Sequence, residues 1–292
     1  MLTNRHPIIM KKNILILLIA SFIFNTQAQI TTPAPSPFQK IEQRVGLTDV
    51  TVEYSRPGVK GRKIFGELVD YGKIWRTGAN ASTKISFSTD FTIAGKKLEK
   101  GTYALYTIPN KDSWDIILYT DASNWGSPKK LKKSKIATKV TVSAKVFPLL
   151  IETLTITFDY ITSNSAVLGI RWENTSVGFK FETPTDSIVT ASIKKTMIDN
   201  PTANDLYAAA VYYLQTGKDI KKAQSWIDKA IEMSASKPKF WYLRQQALIH
   251  AKAGNHKKAI AAAKESLTYA EKAGNTSYIK MNSASLKEWE TK

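Results

Sequence analysis

The chain has 292 residues, 42 Lys+Arg against 24 Asp+Glu, three histidines and no cysteine. Without cysteine there is no disulfide, thiol nucleophile, thiolate metal site or lipidated cysteine. The histidines are His6, His250 and His256, so residues 29–249 hold neither a Ser-His-Asp triad nor a histidine-ligated zinc, and no metal or cofactor is expected.

Arg5, Lys11 and Lys12 precede an apolar run from Ile14 to Phe24, and Thr26-Gln27-Ala28 follows with small residues at the positions a signal peptidase reads. The run is shorter than the ~20 residues of a membrane span. The pattern predicts a secretory signal peptide over 1–28 and an exported, periplasmic or secreted, soluble product without a lipid anchor or a membrane span after cleavage. Basic residues exceed acidic ones along the whole chain rather than in one block, which argues against nucleic acid as a partner.

Residues 29–37 (QITTPAPSP) read as a flexible lead-in. From 38 to 183 the pattern has period two. Val50, Val52 and Tyr54 alternate with Thr51 and Glu53, and Ile85 and Phe87 with Ser86 and Ser88. A row of Val140, Val142, Ala144 and Val146 follows, then Leu154, Ile156, Phe158 and Tyr160. Tyr103 to Ile108 is apolar on both parities and predicts a doubly covered central strand. Further strands fit Ser113–Thr120, Ala166–Glu173 and Ser176–Thr183. About nine or ten short strands predict an all-β antiparallel sandwich, jelly-roll-like, over 38–183.

Residues 184–199 form a linker or first helical segment, and the period becomes 3.6 in a helical domain over 200–292. Pro201 recurs at Pro238, Gly217 at Gly254 and Lys222-Ala223 at Lys258-Ala259, a spacing of 36–37 residues. Helix pairs at that period over 200–273 resemble the tetratricopeptide repeat, usually ~34 residues long. The expected architecture is therefore a β-sandwich followed by an all-α tetratricopeptide-like helical repeat domain. Two readings of it stand level: a groove that takes a protein or peptide partner, and a scaffold that docks on the sandwich and covers it.

Chemistry concentrates in residues 54–80, YSRPGVKGRKIFGELVDYGKIWRTGAN, which hold Arg56, Arg62 and Arg76, three of the seven arginines. Lysine solubilises the rest of the surface, so arginine here is selected for its planar fork of donors. Arg56 shares strand parity with Tyr54, and Arg76 with Ile74. Tyr71 and Trp75 add aromatic surface. The ligand-binding candidates are Arg56, Arg62, Tyr71, Trp75, Arg76 and Asn80, for a polar or anionic ligand such as an envelope glycan or anionic polymer. The competing reading pairs the arginines internally with Glu67, Asp70 or Glu173. It is the favoured one here, and makes Arg76 a buried anchor. A second alternative is a carboxylate-based hydrolase acting on carbohydrate through two facing acids. No standard catalytic constellation is present, so a non-enzyme is favoured.

Tyr54-Ser55-Arg56-Pro57, Lys60-Gly61-Arg62, Ile64-Phe65-Gly66, Trp75-Arg76-Thr77-Gly78-Ala79-Asn80, Gly101 to Pro109 and Asn124-Trp125-Gly126 occur in order. Together they resemble the bacterial domain-of-unknown-function family 2911 over about residues 37–182. The resemblance implies an exported protein with an all-β domain. It carries over no catalytic residue, and marks Arg56, Arg62, Trp75, Arg76 and Asn80 as candidates alone. A packed lid is one reading, from the residues themselves, of the Asn124-Trp125-Gly126 turn.

Overall fold

The computed structural model describes residues 32–291. The expected signal peptide lies outside them. The described residues divide into two compact units. One comprises 32–44, Asp49–Ile161 and Ser165–Phe181; the other comprises Val45–Thr48, Thr162–Asn164 and 182–291.

The first unit is built from antiparallel strands in two sheets. The six-stranded sheet runs β1 (Phe38–Val45), β2 (Thr48–Ser55), β3 (Ala79–Phe87), β6 (Gly101–Pro109), β7 (Ser113–Tyr119), β8 (Ile136–Ser143). The four-stranded sheet runs β5 (Lys96–Leu98), β4 (Phe91–Ile93), β10 (Ser165–Glu182), β9 (Lys145–Asp159). A jelly roll interleaves two Greek keys. Here β1, β2 and β3 are direct neighbours, as are β6, β7 and β8. Short connections favour such meanders, and the jelly-roll detail of the expectation does not hold.

Alternation drives burial. Val50, Val52 and Tyr54 of β2 are buried, while Thr51 and Glu53 between them are partly exposed. Rings from both sheets meet in the middle. Phe87 stacks on Phe91 at 3.6 Å between centroids, and Phe181 meets Phe87 at 5.3 Å. Tyr103 to Thr107 of β6 are all buried. The outer face of that strand, with Ala104 and Tyr106, is covered by Leu131 and Ile74 from loops, which is why both parities are apolar.

Two boundaries differ from expectation. The row from Val140 to Val146 breaks at Ala144, between β8 and β9. The strands expected at Ala166–Glu173 and Ser176–Thr183 are one, β10. Its pairing with β9 shifts register on either side of Glu173, whose φ is +53°. A bulge absorbs the extra residue without ending the strand.

The second unit holds six helices among the described residues: α1 (Thr185–Thr196), α2 (Ala203–Thr216), α3 (Ile220–Met233), α4 (Phe240–Lys252), α5 (His256–Lys272) and α6 (Thr276–Trp289). Thr202 caps α2 through a reciprocal box, its hydroxyl accepting from Asp205 N while the Asp205 carboxylate accepts from Thr202 N. Asp219 caps α3 and Asn275 caps α6. Gly217 ends α2 at a φ of +66°, in the left-handed region where glycine alone is unstrained. Alanines form the seams. Ala210, Ala223, Ile227 and Ile249 pack together across α2, α3 and α4, and Ala247, Ala259 and Ala263 join Leu286 and Trp289 across α4, α5 and α6. No helix among the described residues is long and apolar enough to cross a membrane.

Candidate functional site

The segment between β2 and β3 leaves the larger sheet and lines up first on one sheet, then on the other. Leu154 N donates to Pro57 O at 3.0 Å and Val59 N to Glu152 O at 2.7 Å, so residues 57–59 run along the outer edge of β9. Further on, Gly72 N donates to Pro109 O at 2.9 Å, and Trp75 exchanges hydrogen bonds with Thr107 at 2.8 and 2.9 Å. Residues 72–75 thus occupy the place beside β6 that β3 vacates.

This pairing settles the faces. Trp75 turns into the sandwich, where its ring stacks on Trp172 of β10 at 5.8 Å and meets Trp114 of β7 and Phe65 edge-on. Ile74 packs instead on the outer face of β6. Arg76 has the parity of Ile74, as expected, but that parity is not the interior row. The backbone of Arg76 is clamped on both sides. Its N donates to Ser127 Oγ at 3.0 Å, and its O accepts from Thr83 N at 3.2 Å.

The next residue carries strain. Thr77 is fully buried with φ at +57°, an unusual conformation for a β-branched side chain. Its hydroxyl donates to Thr107 Oγ1 at 3.2 Å, and its carbonyl accepts from Thr83 Oγ1 at 2.8 Å. A Cβ on neighbouring Gly78 would lie 3.0 Å from Ser55 O, so glycine is needed for the close approach of β2. Positive φ recurs at Lys60 and Asn80. Strain of this kind concentrates at functional sites, held in place by surrounding contacts.

The three arginines have separate fates. Arg56 Nε donates to Leu154 O and its Nη2 to Thr155 Oγ1, both at 2.8 Å, tying the end of β2 to β9. Arg62 folds back on its own turn, donating to Val59 O at 3.0 Å and Gly58 O at 2.7 Å. Among the described residues Arg76 donates no side-chain hydrogen bond, and its Nε is buried without an acceptor. None of the three forms an ion pair among the described residues. Of the acids proposed as partners, Glu67 pairs with Lys63 at 3.2 Å. The anchor expectation for Arg76 therefore fails: the arginine follows the row on the opposite side of the segment from the core.

A cleft of about 450 Å³ opens over this region. Arg62, Trp75 and Arg76 line it, as do Lys60, Asp70, Lys73, Leu68, Ser127 and Trp172. Arg56, Tyr71 and Asn80 do not. Tyr71 is exposed and covers Gly66, and Asn80 donates to Ser55 Oγ at 3.1 Å and Ser36 O at 3.4 Å. The structure thus brings together three of the six sequence candidates. It adds Lys60 and Lys73, which resemble the many solubilising lysines, and Trp172, about a hundred residues away with no local signal. The lining holds four cations against one carboxylate, Asp70. Trp125 is 79% exposed, so the Asn124-Trp125-Gly126 turn is not a packed lid. The backbone of this turn is bound to β3 through Asn124 O, which accepts from Ser82.

A family model described as a protein of unknown function, DUF2911, matches residues 36–181. The chain belongs to this family. Comparison with curated proteins and with solved structures returns no match. The DUF2911 match spans every residue that lines the cleft except Pro35. Two other clefts are lined by one carboxylate each, Asp205 and Asp159. None of the three therefore has the facing acids of a glycosidase.

Proposed function

We propose that the protein is an exported, non-catalytic binding protein whose β-sandwich captures an anionic ligand, such as an acidic envelope glycan or polymer, in the Arg76 cleft. The observation that carries this reading is the state of Arg76, whose Nε is buried without an acceptor, whose backbone is clamped and whose side chain has no partner among the described residues. Ordinary structural arginines are paired, as Arg56 is. An unpaired one beside Lys60, Arg62 and Lys73 is poised for a charge brought from outside. The basic, apolar N-terminus followed by small residues supports export.

The helices supply a second contact in this reading. Alanine seams, left-handed glycine ends and the 36–37-residue spacing support tetratricopeptide-like pairs that bind a protein or peptide.

The test is a low-salt binding screen of the mature chain and its Arg76→Gln variant against neutral glycans, acidic glycans and anionic envelope polymers. Binding of acidic members, lost in the variant, is expected. Absence of binding to every member, or equal binding by both proteins, would refute the cleft.

A further inference from the structure

We infer that the group read by the cleft is a doubly charged oxyanion of the phosphate-ester kind on a body with apolar or ring carbons, and that the Trp172 indole N–H donates to it beside Arg76. The inference rests on the proposal that this cleft binds an anion.

The case is a count of donors and acceptors. Trp172 is 2% exposed and lines the cleft, yet its Nε1 has no acceptor among the described residues. Its stacking partner differs, since Trp75 Nε1 donates to Gly78 O at 3.1 Å. Trp114 Nε1 is also unpaired, but Trp114 does not line the cleft. Arg76 Nε is the second enclosed donor without an acceptor. Buried N–H groups are paired in the great majority of cases, so two buried donors without acceptors, on two residues of one lining, argue for acceptor atoms brought from outside. Arg62 commits Nε and Nη2 to carbonyls, leaving Nη1, and the ammonium groups of Lys60 and Lys73 add charge. On the acceptor side, the lining side chains offer Asp70 and the hydroxyls of Ser36 and Ser127.

A neutral sugar brings no charge to balance a lining of four cations and one carboxylate. A carboxylate has two oxygens and one charge, which a single guanidinium fork satisfies. A phosphate monoester has three terminal oxygens and nearly two charges at neutral pH, enough to engage Arg76, Trp172 and a lysine together. About 450 Å³ falls within the range of small-molecule sites and exceeds what a bare phosphate fills. Pro57, Leu68, Val69 and Ile74 supply an apolar wall for the remaining carbons. The strained, clamped backbone at Arg76 and Thr77 holds the fork in place before the ligand arrives.

Calorimetry of the mature chain with phenyl phosphate, benzoate and glucose reads the charge preference. Phenyl phosphate is expected to bind at least about tenfold more tightly than benzoate, glucose not at all, and Arg76→Gln to weaken phenyl phosphate at least about tenfold. In ¹⁵N spectra, with indole signals assigned by single Trp→Phe variants, the Trp172 N–H signal should move on binding more than that of Trp75. These spectra need only wild-type protein for the titration, so they stand even where a variant is unstable. Phosphomannan binding as strongly per phosphate as phenyl phosphate would place the group on a polymer; phenyl phosphate binding alone would place it on a small ester; both agree with the inference. Benzoate or glucose binding as well as phenyl phosphate, with loss in Arg76→Gln, would overturn the phosphate assignment and leave the anion or glycan cleft standing. An unmoved Trp172 signal during Arg76-dependent binding would overturn its donor role. Absence of binding to all three probes and to the acidic glycans would remove both.

Discussion

Arg56 spends its guanidinium on Leu154 O and Thr155 Oγ1, so removing it leaves polar atoms of β9 without their donor. Arg56→Ala should lower unfolding free energy by about 1–3 kcal/mol, measurable by urea denaturation. Arg76 has no such partner to abandon. Arg76→Gln should change stability by less than about 1 kcal/mol while weakening anion binding at least about tenfold. The residue types and their spacing were readable before the fold, including the parity of Arg76 with Ile74. Which parity faces the core was not. That depends on Trp75 pairing with Thr107 more than thirty residues away, a long-range register that local alternation does not encode.

Periodicity located most strands and the helices, because burial follows alternation in β2 and the 3.6-residue stripe in α3. It divided β10 in two because Glu173-Asn174 looks like a turn, whereas the strand carries it as a bulge. Thr202→Ala removes the capping hydroxyl of α2 and should cost about 1 kcal/mol, read as a lower denaturation midpoint. A pH dependence belongs to α1 and α2. Burial, and then its hydrogen bond to Asp186, push the Tyr212 phenol from 10.0 up to about 12. A raised pKa means the folded state favours the neutral phenol. Its contribution is therefore complete below about pH 10 and lost as pH rises through about 12. Tyr212→Phe should flatten that alkaline loss in a pH series of thermal melts. Asp186 acts oppositely: hydrogen bonds from Lys218 and then Tyr212 hold its carboxyl below the ordinary value of 3.8, so its contribution fades in acid.

At the scale of the molecule, a formal charge of +18 is not by itself a binding site. Several lysines serve structure, Lys135 pairing with Asp121 at 2.7 Å and Lys139 with Asp115 at 2.8 Å. The cleft differs because its four cations have no ion pair among the described residues and share a lining with one acid. Anion affinity should fall at least several-fold between low and physiological salt as screening shortens their reach. Composition showed the excess of charge, and the arginine-rich segment showed where to look. Trp172 became part of the site only once β10 lay beneath the loop. Thermal unfolding of wild type and Arg76→Gln, each with and without phenyl phosphate at fixed ionic strength, tests the unpaired arginine most directly. Expected are unliganded midpoints within about 4 °C of each other and a ligand-induced rise in the wild type alone. A variant that melts far lower without ligand, or that gains the same rise with it, would contradict an anion cleft built on Arg76.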